Sequence, residues 1–206
     1  RLIEQYRMHG AIMAFSSQEF YDGELIAGEG IEARLLCELP DVQRTPLTET
    51  PLEFVDTAGA GYDEELEPDG ESRRNVEEAN IAERKVIALL EAGVPASEIA
   101  VIAPYAAQVR LLRDKLAERG VEVDTVDGFQ GREKEAIIIT LVRSNATGEI
   151  GFLGDERRMN VALTRAKRKL IVIGDSATIG AHEFYERLLK YFEAQGSYHT
   201  VWEEMY

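Results

Sequence analysis

The sequence contains one cysteine, Cys37, so no internal disulfide can form, and a reducing, intracellular setting is expected. No apolar run approaches the ~20 residues needed to cross a bilayer, and the first twenty residues lack the pattern of a signal peptide. A cytoplasmic protein with no membrane partner is therefore expected. Histidine is scarce too: His9, His182 and His199 show no ligand spacing with Cys37, and no metal site is expected. Two signatures of phosphate chemistry are also missing. No GxxxxGK[ST] run occurs, and the apolar run 136–142 gives way to Val-Arg-Ser rather than to acids. A P-loop triphosphatase needs both, to cradle phosphates and to hold magnesium and water. By itself, the chain should not hydrolyse ATP.

Basic residues are outnumbered, with 38 Asp and Glu against 23 Lys and Arg and a net charge of -15. A nucleic-acid binder usually shows a basic footprint, so the total argues against one. Its distribution weakens that objection. Nine acidic and two basic residues fall between Tyr62 and Glu83, whereas seven basic and three acidic fall between Arg143 and Lys169. Segregation of this kind lets a positive face coexist with an acidic exterior. The acidic run itself reads most simply as a solvated surface loop at about 60–74.

What is present fits one domain of 206 residues, with neither repeats nor low-complexity tracts. The runs Ala136 to Val142 and Leu170 to Ile173 are wholly apolar, without period-2 alternation, as strands buried on both faces of a parallel sheet are. Strands are also expected at Leu52 to Val55, Ile99 to Ala103 and Val121 to Val126. Helices are expected from about His9 to Phe20 and from Asn75, as N-cap of a capping box with Glu78, to Gly93. Another should open at Pro104-Tyr105, with a stripe at Tyr105, Val109, Leu112 and Leu116. Two more are expected at about Asp155 to Lys167 and Ala181 to Ala194. Alternating strands and helices imply a parallel sheet covered on both faces, with ligands at the carboxyl ends of its strands. Cys37 reads as a core or strand residue.

Three segments carry a family resemblance. Gln5-Tyr6-Arg7-Met8-His9, Val126-Asp127-Gly128-Phe129-Gln130-Gly131-Arg132-Glu133 and Asn160-Val161-Ala162-Leu163-Thr164-Arg165-Ala166-Lys167 resemble motifs IV, V and VI of superfamily 1 helicases. The nearer likeness is to the 5'-to-3' branch that includes the nonsense-mediated decay and immunoglobulin mu-binding helicases. One departure is Gly10, where that family usually carries proline. The resemblance implies an α/β RecA-like fold of the P-loop NTPase type over 1–206. It also implies a second motor domain parted from an N-terminal RecA-like partner, with a C-terminal helix and tail at 178–206.

By the same resemblance, ATP with Mg2+ would lie between the two domains, the magnesium ligands coming from the first. Arg7 and Arg165 would reach the γ-phosphate, where a guanidinium stabilises charge developing on the phosphoryl oxygens. Tyr6 would stack on the adenine, Glu133 would bond the ribose, and Gly131 would lie near the phosphates. Gln130 and Asp127 stand where the nucleotide and nucleic-acid sides would couple. Single-stranded DNA or RNA would meet Pro104, Tyr105, Thr125, Arg143, Ser144 and Asn145. Plainer readings attach to several of these residues. Tyr6 suits half-buried packing, and Glu133 suits an ion pair with Arg132 or Lys134. Thr125 suits a strand, and Asn145 suits a turn before Gly148. A non-catalytic RecA-like module that binds nucleic acid or protein is the alternative, while a nuclease or methylase lacks its carboxylate cluster or glycine-rich fingerprint here.

Overall fold

The computed structural model describes residues 3–205. Its centre is a six-stranded sheet in which every neighbouring pair is parallel. In chain order the sheet strands are β3 (Leu52–Asp56), β6 (Ile99–Ala103), β7 (Glu122–Thr125), β8 (Lys134–Thr140), β9 (Ala166–Gly174) and β10 (Tyr198–Thr200). Across the sheet they run β10-β3-β9-β8-β6-β7. Two small pairs lie outside it: β1 (Glu4–Gln5) with β2 (Ile26–Ala27), parallel, and β4 (Glu65–Leu66) with β5 (Arg73–Arg74), antiparallel. The helices are α1 (Gly10–Phe20), α2 (Val76–Glu91), α3 (Ala106–Leu116), α4 (Glu156–Leu163), α5 (Ser176–Ile179) and α6 (Glu183–Ala194). None is long and apolar enough to cross a membrane.

Alternate residues of the central strands feed two cores, one on each face. Ile137, Ile139, Leu170 and Val172 meet Ile12, Phe15, Phe184 and Leu188 of α1 and α6. Ile138, Ile171 and Ile173 meet Ala82, Val86, Leu89 and Leu112 of α2 and α3. This is the parallel sheet with helices on both faces that the apolar runs predict, and it agrees with the RecA-like fold that the motif resemblance implies.

Several elements differ from expectation. The acidic stretch at 60–74 is not a bare solvated loop. It folds as the β4–β5 hairpin, and its Glu64 side chain is buried against Arg143. The helix expected to reach Lys167 stops at Leu163. There, Thr164 turns its hydroxyl back onto the Asn160 and Val161 carbonyls, and Ala166 pairs with Lys134 to start β9. Strand pairing pulls the chain out of the helix. Cys37 sits half-buried in a 3-10 turn, Leu36–Glu38, and is neither core nor strand.

The tail continues the fold, adding β10 to the free edge of β3. Lys85 on α2 bonds both Glu53 of β3 and Glu204 of the tail, and His199 bonds Glu204 at 3.0 Å. Burial pushes the Glu204 carboxyl up, but the hydrogen bonds from His199 and Lys85 and the Lys85 charge outweigh it and hold the group down at about 2.

The capping box of α2 is half formed. Asn75 accepts from the Glu78 N–H as expected, but the Asn75 N–H donates to Gln108. Glu78 instead turns inward and accepts from the Thr140 hydroxyl at 2.7 Å and the Val142 N–H at 3.0 Å. Val142 has φ +71°, a conformation that costs a β-branched residue on the order of 1–3 kcal/mol. Asn75 Nδ2 donates to its carbonyl, so the turn ending β8 is clamped from both sides. Burial pushes the Glu78 carboxyl up to about 8.

Candidate nucleotide and strand-binding surfaces

Motif IV is a turn locked by its own glutamine. Gln5 Oε1 accepts from the Arg7 and Met8 N–H groups at 2.9 and 2.7 Å, and its Nε2 donates to the Met8 carbonyl. Tyr6 and Arg7 are thereby turned outward while Met8 enters the core. Sequence reading gave Gln5 no role, although it heads the motif. One face of the Tyr6 ring rests on Gly28, where a Cβ would collide with it, and the side chain remains 64% exposed.

Arg7, Glu133 and Arg165 come together at the amino ends of β8 and β9. Glu133 and Arg165 each precede the first residue of their strands, and the Lys134 N–H donates to the Arg165 carbonyl. Arg7 Nε lies 3.7 Å from Glu133 Oε2. Arg7 Nη1 reaches the Thr164 carbonyl at 3.4 Å, and Arg165 Nη2 reaches the Thr164 hydroxyl at 3.3 Å. Arg165 Nε is held by the Val161 carbonyl at 3.0 Å. Partial burial, and then the nearby Arg7 charge, lower the Arg165 pKa. Two cations held this close repel one another, and an anion between them relieves the repulsion.

The cluster therefore lies at the opposite edge of the sheet from the carboxyl ends where ligands were expected. Arg165 sits on the turn after α4, not within the helix expected at about Asp155 to Lys167. Ala162 is core, and Arg158 pairs with Asp127 at 3.2 Å. Glu133 pairs with neither of its sequence neighbours. Arg132 goes to Glu122 and Asp124, and Lys134 to Glu122.

The motif V segment spans both edges of the sheet. It leaves the carboxyl end of β7 at Thr125, whose hydroxyl accepts from the Gly128 N–H at 3.1 Å, and arrives at Glu133. Phe129 is fully buried, and Arg132 lies over its ring at 4.7 Å. Gly128 packs so closely on Asp124 that a Cβ would collide, and Gly131 has φ +80°. Gln130 and Gly131 are exposed.

Pro104, Tyr105, Ser144 and Asn145 gather at the carboxyl edge. Glu64 accepts there from Arg143 Nε at 2.8 Å, the Ser144 N–H at 2.9 Å and Asn145 Nδ2 at 3.2 Å. Arg143 Nη1 donates to the Tyr105 hydroxyl at 3.0 Å. Arg143 is only 3% exposed, so its guanidinium braces this edge from inside and does not face solvent as a phosphate contact would. Ser144 Oγ is likewise engaged, by Asp175 at 2.8 Å.

The AAA domain family matches residues 1–177. The chain belongs to that family. It is 47% identical over 204 residues to the mouse "DNA-binding protein SMUBP-2", covering 98% of this chain and 20% of that protein. It is 47% identical over 197 residues to the "DNA polymerase alpha-associated DNA helicase A" of Schizosaccharomyces pombe, covering 92% and 30%. Against the "Regulator of nonsense transcripts 1 homolog" of Neurospora crassa it is 40% identical over 202 residues, covering 94% and 18%. The domain thus falls among the superfamily 1 helicases that motifs IV, V and VI indicate. The chain spans less than a third of the length of each of these relatives.

Proposed function

We propose that this AAA-family chain is the second motor domain of an ATP-dependent DNA or RNA helicase, acting against an N-terminal RecA-like domain of the same protein. The observation that carries this reading is the convergence of Arg7 and Arg165 on Thr164, beside Glu133 and the exposed ring of Tyr6. Two guanidinium groups at one edge suit the oxygens of a terminal phosphate, and a tyrosine with a free face suits a purine. ATP fits these residues. The Glu133 carboxylate is engaged by Arg7, so magnesium would be held from the opposite domain, where it would neutralise charge on the β- and γ-phosphates.

In this reading Arg7 and Arg165 steady the transferring phosphoryl group, and Gln130 and Gly131 lie along the phosphates. A single strand crosses the carboxyl edge at Pro104, Thr125 and Asn145, with the buried Tyr105, Arg143 and Ser144 bracing them from below. Hydroxyl and backbone contacts to phosphate are independent of sequence, as a translocating motor requires. Closing and reopening of the interdomain cleft would advance the strand.

The test is ATP turnover by the full-length protein, stimulated by single strands, in R7A and R165A variants. The expected loss is about 10³- to 10⁵-fold in kcat with folding unchanged. Turnover near the wild-type rate in both variants would refute the assignment.

A further inference from the structure

The carboxyl edge of the sheet carries an exposed aromatic ring that the motifs do not cover. Phe152 lies in a 3-10 turn, Gly151–Gly154, and is 56% exposed. Its ring centroid is 5.3 Å from that of Tyr105, and its N–H donates to the Tyr105 hydroxyl at 3.3 Å. On either side the turn is fixed. Leu153 is fully buried, and Gly151, at φ +50°, sits so tightly on Arg143 and Tyr105 that a Cβ would collide with both. Phe152 is thus held outward on a rigid base without contributing its own ring to the core.

We propose that Phe152 stacks on a nucleobase of the single strand, an inference that rests on the strand-binding role of this edge. An aromatic face accepts any base, and a ring ordered in advance loses little entropy on stacking. Glu149 and Asp155, both exposed, bracket the turn. Glu149 lies 3.7 Å from Arg143 and Asp155 3.9 Å from Arg158, so neither side of the ring offers a free cation to a phosphate, and a base is the better partner here. One isolated ring is a small target for a protein partner, whose interfaces bury far more surface.

The experiment is fluorescence anisotropy of the full-length protein with an oligodeoxythymidylate and an abasic strand of equal length, at one fixed salt concentration. F152A should weaken binding to the base-bearing strand about 5- to 100-fold, leave the abasic strand unchanged, and be rescued by F152W. T125A should weaken both strands. If F152A binds both strands like wild type while T125A does not, Phe152 is not a base contact and the strand-binding edge survives. Equal weakening of both strands by F152A also overturns stacking, in favour of a backbone role. If neither variant changes binding, the strand-binding edge itself falls.

Discussion

Arg7 and Arg165, distant in sequence, both donate to one residue, Arg7 to the Thr164 carbonyl and Arg165 to the Thr164 hydroxyl. Their spacing is thus set by a single turn between α4 and β9. Thr164→Val keeps the volume and removes one acceptor, leaving Arg165 with its Val161 bond. In the full-length protein, T164V should lower the kcat of ATP turnover by up to about 10²-fold, less than loss of either guanidinium, because misplacement costs less than removal. Steady-state kinetics check this. A wild-type kcat would separate Thr164 from arginine placement.

Two motif V glycines should fail for different reasons. Gly131→Ala keeps open space but puts a Cβ on a residue at φ +80°, with an expected cost of about 1–2 kcal/mol. Gly128→Ala meets the Asp124 carboxylate, the free end of a side chain, so Asp124 must swing aside and give up its bond to Arg132. Urea unfolding measures both. G131A should fall within the stated range, and the double variant G128A/D124A should recover part of the G128A loss.

Glu78 should give the domain a pH dependence opposite to that of an ion-paired carboxylate. Its folded pKa is raised from 4.5 to about 8, chiefly by burial and further by Asp175, against the hydrogen bonds from Thr140 and Val142. Between those values the unfolded chain gives up a proton that the folded chain retains, so stability falls as pH rises through the window and levels off above it. Glu78→Gln removes the titration. It should match wild type near pH 5 and exceed it at pH 8 by an amount on the order of a few kcal/mol. Parallel curves of unfolding free energy against pH would show that Glu78 does not titrate this way.

The tail latch should respond to acid in the other direction. Glu204 is held at about 2 by His199 and Lys85, below its usual 4.5, so its contribution is present above pH 4.5 and lost as pH falls toward 2. Lys85→Met removes the cation shared by Glu53 and Glu204. Amide exchange at Tyr198–Thr200 should accelerate in K85M at neutral pH, while the protection of β8 changes little. Unchanged exchange in β10 would mean that pairing with β3 alone holds it.

The parts legible in the sequence are those whose signal is local. Ile99–Ala103 is apolar throughout and is a strand over that same span, and Asn75 caps α2 as its side chain demands. What could not be read depended on partners far along the chain. Ser197–Tyr206 has no periodicity, and its strand exists because β3 offers an open edge. Glu64 looks like one acid among many until the fold brings Arg143, Ser144 and Asn145 to it. The helix ending at Leu163 was obscured by residues with good helical propensity, which pairing with β8 overrides. The two opposed surfaces were equally hidden, since the motifs give residues but not the sheet edge on which each lies.

The seven residues of β8 separate those edges. A strand of that length is a stiff arm of roughly 23 Å. Pivoting it by about 10° about the Thr164 end would carry the Phe152 end by roughly 4 Å, slightly more than the 3.4 Å advance per nucleotide in a duplex strand. Under the proposed motor reading, a small change in cleft angle would thus become a stride on the scale of one nucleotide, with no need for the interior of the domain to deform.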